Sequence, residues 1–205
     1  IDASAENREP DYKMIEHWAS ECRMPLCYGG GIKSVEQARR IFALGVEKVA
    51  ISSAAVQNPN LIKEISESVG SQSVVVVIDV RKKLLGGYEM SILNGKKTIN
   101  KNVFDFIEEA EKLGAGEIII NNIDLDGKMK GYDLGLAEKV RAKTTLPLTI
   151  LGGAGSHEDI GELIKKFRII GAAAGSLFVF KGKYKAVLIN YPSPELKDEL
   201  IKKYL

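Results

Sequence analysis

Ser73-Val-Val-Val-Val-Ile-Asp-Val80 packs six Val or Ile side chains into eight positions, and that density predicts a strand rather than a helix. The apolar run does not alternate with polar residues. It therefore predicts a strand buried on both faces, as in the middle of a parallel sheet covered by helices. One charged side chain breaks the run: Asp79, at its carboxyl end.

The same beat extends outward on both sides: a short β-branched run, a glycine-rich or polar turn, then an amphipathic helix. Upstream, Met24-Pro-Leu-Cys-Tyr28 predicts a short strand running into Gly29-Gly30-Gly31. A helix follows from Ser34, a suitable N-cap, with Val35, Ala38, Ile41 and Phe42 at helical spacing and Gly45 as its stop. Next come a strand over 46–52 and a helix entered through Asn58-Pro59. Downstream, Gly86-Gly87 and Asn94-Gly95 bracket Tyr88–Leu93 and predict an antiparallel excursion within 81–100. The beat then resumes with helix 103–113, strand 117–123, helix 134–142, strand 147–151, helix 156–166, strand 169–173 and a last helix at 194–204.

Alternation of this kind implies right-handed βαβ crossovers and a parallel sheet, either open and doubly wound or closed as a barrel. Two details favour the barrel. Nearly every strand ends in a small or polar residue, whereas an open sheet concentrates its site near one switch point. A strand running into Gly-Gly also recurs, at 29–30 and 152–153. The chain opens on Ile-Asp-Ala-Ser, which reads as the end of a strand, and this stub brings the strand count to seven. The expectation is an α/β fold, a single (β/α)8 TIM barrel domain over 1–205, N-terminally truncated. Its first strand, first helix and most of its second strand would be missing. A barrel short of those strands cannot close, so this piece is expected to be inactive alone.

The chain has 29 Lys+Arg against 27 Asp+Glu, and that balance, without a basic stripe, argues against a nucleic-acid partner. No apolar run approaches the ~20 residues of a membrane span, so no membrane partner is expected. Cys22 and Cys27 lack further ligands at metal spacing and predict two buried thiols in a reducing, cytoplasmic setting. Neither a metal nor another cofactor is expected.

A barrel builds its site from the loops at the carboxyl ends of its strands. The candidates there are Asp2, Gly29–Gly31, Ser52, Asp79, the loop from Asn121 to Gly127, Gly152-Gly153 and Gly175-Ser176. Glycines let backbone N–H groups approach an anion, and helix N-termini add a positive dipole end. Gly152-Gly-Ala-Gly155 with Gly175-Ser176 predicts one phosphate cradle, and Gly29–Gly31 with Ser52-Ser53 a second across the mouth. The alternative is that these glycines only make tight turns. Asp79, a carboxylate ending the most apolar strand, suits general acid/base work, or else binds loop N–H groups. Asp126 suits substrate hydroxyls, while Asp124 serves equally well to brace its loop. His17 and His157 fall in helices without a nucleophile beside them, Trp18 reads as helix packing, and 181–185 as a solvated basic loop. Lys48 and Glu117 stand at the opposite, amino-terminal ends of two strands, where outward-facing charge is the plain expectation.

These segments resemble the cyclase subunit of imidazole glycerol phosphate synthase, the HisF family. The matching stretches are Tyr-Gly-Gly-Gly-Ile at 28–32, Lys-Val-Ala-Ile-Ser-Ser-Ala-Ala-Val at 48–56, Val-Val-Val-Ile-Asp at 75–79 and Gly-Ala-Gly-Glu-Ile at 114–118. Ile-Asp-Leu-Asp-Gly at 123–127, Gly-Tyr-Asp at 131–133, Gly-Gly-Ala-Gly at 152–155 and Ala-Ala-Gly-Ser-Leu-Phe at 173–178 complete the set.

The resemblance implies a (β/α)8 barrel paired with a glutaminase (HisH-like) subunit as a heterodimer. Ammonia from the glutaminase passes along the barrel axis to a bis-phosphorylated ribulosyl nucleotide. Cyclisation then yields imidazole glycerol phosphate and an aminoimidazole carboxamide ribotide. Asp79 matches one of two catalytic aspartates, the other belonging to the absent first strand. The implied substrate and phosphate set is Gly30, Gly31, Ser52, Asn94, Asn121, Asp126, Gly127, Gly152, Gly153, Gly175 and Ser176. Lys48 and Glu117 match two of four charged residues gating the ammonia channel.

Ser52 stands where the biosynthetic enzyme usually has Asn, and Asn121-Asn122 where Thr-Ser is typical. Tyr28 and the ending at 185–192 look more like a paralogous branch (WbuZ-like), associated with amidation of surface-polysaccharide sugars, which would pass ammonia on without cyclase activity. A barrel acting on some other phosphorylated substrate is the third reading.

Overall fold

The computed structural model describes residues 2–182 and 184–205, without the side chain of Asp2. Asp2 as a rim candidate, and Lys183 within the basic loop, therefore fall outside it.

A helical turn α1 (Asp2–Ala5) and helix α2 (Tyr12–Glu21) precede strand β1 (Cys27–Gly29). Helix α3 (Val35–Ala43), strand β2 (Lys48–Ile51), short helix α4 (Ser53–Gln57) and helix α5 (Asn60–Val69) follow. Strand β3 (Val74–Lys82) leads into the hairpin β4 (Tyr88–Ile92) and β5 (Lys97–Ile99), then helix α6 (Val103–Lys112). The beat continues through β6 (Glu117–Asn122), α7 (Leu134–Arg141), β7 (Leu148–Leu151), α8 (His157–Phe167) and β8 (Gly171–Ala172). After the turn α9 (Ser176–Val179) comes a small ribbon, β9 (Phe180–Lys181) and β10 (Ala186–Val187), and the final helix α10 (Pro194–Tyr204).

Six strands are hydrogen-bonded in the order β1-β2-β3-β6-β7-β8, and each neighbouring pair is parallel. Each strand thus sits beside the next parallel strand in the chain, which is the wiring of a (β/α)8 TIM barrel wall and not of a doubly wound sheet with a switch point. The β4–β5 hairpin leaves this wall as an antiparallel extension of β3, with Asp79 opposite Ser91. The predicted excursion at 81–100 is this hairpin.

Local chemistry accounts for the helix limits. Ser34 accepts the Gln37 N–H, Asn102 those of Phe104 and Asp105, and Asp133 that of Leu136, each satisfying orphan donors of a first turn. Between wall and helices lies the core, in which Ile62, Ile65, Phe106, Ile107, Ile118 and Ile120 are wholly enclosed. Burying one such side chain stabilises the fold by about 1.5–3 kcal/mol.

Several expectations are corrected. Asp2–Ala5 is one helical turn, not a strand end. Its neighbourhood is tied by the Arg8 N–H donating to the Ala3 carbonyl and the Gly31 N–H to Ser4 Oγ (3.0 Å), and among the described residues no ladder reaches it. Six parallel strands are therefore described, not seven. Strand 169–173 shrinks to two residues because β8 is an edge with a single neighbour, and Ile169 is left exposed. Cys22 and Cys27 are free and exposed, not buried. Trp18 is 46% exposed beside the β1 edge, not packed as a core helix residue. Among the described residues no helix is long and apolar enough to cross a membrane.

Candidate active site

Successive side chains of a strand point to opposite faces, so the register of the ladder stacks the inner face in layers. On β3, Val74, Val76, Ile78 and Val80 join the core beneath the helices. The other parity places Val77, Asp79 and Arg81 along a single cleft. Asp79 pairs in register with Asn121 on β6, whose Nδ2 donates to Asp79 Oδ1 at 2.9 Å.

The cleft has a volume of about 510 Å³. Its walls bring together Gly30, Gly31, Ser52, Asp79, Asn94, Asn121 and Asp126 from the strand ends and the hairpin turn. A small adjoining recess is lined by Asp126, Gly127, Gly152, Gly153, Gly175 and Ser176, sharing Asp126 and Leu151 with the larger cleft. Asp79 thus lies between the Gly30–Ser52 wall and the Gly152–Ser176 wall, on the face that carries both.

Burial raises the Asp79 carboxyl above its ordinary range, the Asn121 hydrogen bond draws it part of the way back, and the nearby Asp126 adds a push upward. A carboxyl moved in this direction exchanges protons closer to neutrality. Ser52 Oγ and Asn121 Oδ1 are buried without a hydrogen-bond partner among the described residues. Ser53 is differently employed, its Oγ accepting the Leu93 N–H at 3.0 Å and fastening the hairpin to the end of β2. Asn94, at φ 58° in that turn, is exposed at the cleft mouth.

The glycines divide into two kinds. Gly153 has φ 112°, and a Cβ there would stand 2.1 Å from the Gly131 carbonyl oxygen; at Gly152 it would meet the Asn122 oxygen at 2.4 Å. Gly153 is required by the close passage of the 127–131 loop and Gly152 by that of the end of β6, whatever else they do. Gly175 is open, with nothing within 4 Å of a would-be Cβ. The start of α8 differs from the cradle expected of it. Asp159 Oδ2 already accepts from the N–H groups of Gly155 (2.8 Å) and Ser156 (3.0 Å), so this capping box occupies the donors a phosphate would use. The N–H groups of Gly152, Gly153, Gly175 and Ser176 have no acceptor among the described residues.

Asp124 braces its loop: it accepts the Lys82 N–H at 2.9 Å, and its own N–H donates to Asn122 Oδ1. Asn122 is buried and donates to Asp133, which also accepts from Tyr88 Oη at 2.9 Å, so this second Asn supports the loop from behind. His17 lies on α2, and His157 opens α8.

At the other end of the inner face, Lys48 Nζ and Glu117 Oε2 form an ion pair at 2.7 Å across the intervening β3, and Thr149 Oγ1 donates to Glu117 Oε1 at 2.9 Å. The two charges therefore meet each other instead of facing outward, against the plain expectation. Cys27 stands beside them. Although the residue as a whole is exposed at the β1 edge, its sulfur is largely shielded by the surrounding protein. That desolvation, then Glu117, push the thiol pKa up to about 11 against the lowering effect of Lys48, so it stays protonated at neutral pH.

Sequence reading left two cations near these walls out of the site, Arg81 unmentioned and Lys185 taken as part of a solvated loop. Arg81 lines the cleft two residues beyond Asp79, the i, i+2 spacing that marks a shared strand face. Lys185 Nζ approaches the Gly127 carbonyl at 3.5 Å, a contact no local pattern announces.

Residues 1–185 match the family of histidine biosynthesis proteins. A Vibrio vulnificus protein provisionally named imidazole glycerol phosphate synthase subunit hisF3 is 56% identical over 202 residues, covering 98% of this chain and 78% of its own. A Pseudomonas aeruginosa protein provisionally named subunit hisF2 is 47% identical over 198 residues (97% and 79%). The imidazole glycerol phosphate synthase subunit HisF of Streptococcus mutans is 38% identical over 178 residues (87% and 71%). With this extent of match and the barrel wiring beneath it, the chain belongs to the histidine biosynthesis protein family and, within it, to the HisF family.

Proposed function

We propose that the chain is an ammonia-using lyase/cyclase. It would take a ribulosyl nucleotide carrying a phosphate at each end and convert it to imidazole glycerol phosphate and the aminoimidazole carboxamide ribotide. The observation that carries this reading is the position of Asp79 in one cleft between the Gly30–Gly31–Ser52 wall and the recess whose Gly152, Gly153, Gly175 and Ser176 N–H groups have no acceptor among the described residues. An elongated bis-phosphate spanning those walls brings its middle to the carboxyl. When ammonia adds to a carbonyl carbon, the nitrogen must lose a proton and the departing oxygen must gain one. A carboxyl with a raised pKa serves both transfers. Asp126 would hold substrate hydroxyls, and Ser52 with Gly30-Gly31 would hold one phosphate. Gly152-Gly153 with Gly175-Ser176 would hold the other, and Asn94 would close the mouth from the hairpin.

Ammonia would come from a glutaminase partner docked at the amino-terminal end of the wall, passing the Lys48–Glu117 pair. The full chain mixed with that glutaminase, glutamine and the nucleotide is expected to release imidazole glycerol phosphate. A folded complex that gives none excludes the cyclase.

A second reading is a module that channels ammonia toward amidation of a surface-polysaccharide sugar. Ser52 favours it: a short hydroxyl, buried and unpartnered, stands where the resemblance implies a longer Asn amide. Micromolar binding of the ribulosyl nucleotide argues for the cyclase, and absence of binding for the channel.

A further inference from the structure

Arg81 is placed and charged for a task that the backbone cradles leave undone. It lies on β3 with its side chain on the Asp79 face and lines the same cleft. The other ionisable side chains lining that cleft are Asp79 and Asp126, both acids, so without Arg81 a phosphoryl dianion would enter a site of its own sign.

The guanidinium is poorly partnered where it stands. Its Nε is buried with no hydrogen-bond acceptor, and its nearest carboxylate, Asp124 Oδ1, is 3.9 Å away. Asp124 is itself committed to the Lys82 N–H through its other oxygen. Arg81 Nη2 reaches the hairpin turn, since a Cβ on Gly95 would come within 2.8 Å of it. That turn is fastened by Ser53 to the end of β2, beside Ser52. Arg81 thus lines the cleft that also holds Gly30, Gly31 and Ser52 and does not line the Gly175 recess, which is left to backbone donors.

We propose that Arg81 is a specificity-determining residue that takes a phosphoryl group of the ligand at the Ser52 wall through a charge-assisted pair of N–H donors. The inference rests on the bis-phosphate reading above and assigns one of its poles a side-chain cation. An Arg–phosphate fork supplies both the charge and the planar geometry that an N–H cradle lacks. A purely structural Arg would instead bond the carbonyls of the turn it leans on, and among the described residues it bonds none.

The test is titration of the full chain with inorganic phosphate and with pyrophosphate. It is followed by calorimetry and by the ¹⁵Nε resonance of Arg81, for wild type, Arg81→Lys and Arg81→Met. The fork predicts that Arg81→Met weakens binding about ten- to a hundredfold at unchanged melting temperature, and Arg81→Lys less so. It also predicts that phosphate shifts the wild-type Arg81 resonance, a readout that survives if the Met variant fails to fold. Phosphate binding with equal affinity in all three proteins and an unmoved resonance overturns the assignment while leaving the bis-phosphate reading intact. A wild type that binds neither anion overturns both.

Discussion

Asp79 is under opposed influences, and each can be removed separately. Burial, the largest, raises its pKa; the Asn121 amide lowers it; Asp126 raises it further. With the net effect upward, the folded protein holds this proton more tightly than the unfolded chain does. Stability from this group is then lost as pH climbs from the ordinary carboxyl range through the raised value. Asp79→Asn removes the buried charge, so its melting temperature is expected to exceed that of wild type at pH 7. The gap should close near about pH 3.5, where the unfolded carboxyl is itself largely protonated. A scan showing no gain at pH 7 contradicts the direction. Asn121→Ala deletes the one lowering contact, so the limb of the pH–rate profile belonging to Asp79 should move to higher pH. An unmoved limb would mean that the 2.9 Å hydrogen bond does not govern the titration.

At the scale of elements, Gly153 and Gly175 are identical residues under different constraints. Gly153→Ala drives a Cβ to 2.1 Å from the Gly131 oxygen at φ 112°, and is expected to cost about 2 kcal/mol or more in denaturant melts. Gly175→Ala meets nothing within 4 Å, so its melting curve should match wild type, and any loss should appear only in phosphate affinity. Equal destabilisation of both would contradict the distinction. The same contrast marks what sequence can convey. Strand β3, the hairpin after it and the helices opened by Ser34, Asn102 and Ser156 were legible because each rests on local periodicity or a local cap. The shortening at β8 was not, because the length of an edge strand depends on its one neighbour. The α8 cradle was misjudged for a local reason: Asp159, three residues past Ser156, completes a capping box that claims the free N–H groups. Turn α9 and the β9–β10 ribbon carry no strong period and went unread.

Taken as a whole, the molecule separates two polar clusters along one sheet face. The Lys48–Glu117 pair lies at the amino-terminal ends of the strands, and Asp79 with the two walls of glycine and serine lies at the other. Which strand ends would carry the candidate residues followed from the βαβ alternation. That Lys48 and Glu117 meet across β3 needed the ladder register, which spacing alone does not give. Lys48 is 40% exposed, so the pair should contribute no more than about 1 kcal/mol in a double-mutant cycle. Its expected effect is on transport. Lys48→Met should lower glutamine-driven turnover in the glutaminase complex while leaving turnover on free ammonium chloride near wild type. Equal losses with both nitrogen sources would place Lys48 outside the ammonia route.

The most direct measurement pairs ammonium-dependent formation of imidazole glycerol phosphate with nucleotide binding, in the full chain and its Asp79→Asn variant. The carboxyl between the two walls predicts turnover lost by at least two orders of magnitude, with the dissociation constant changed less than threefold. Retained turnover in the variant, or loss of binding in step with turnover, would contradict it.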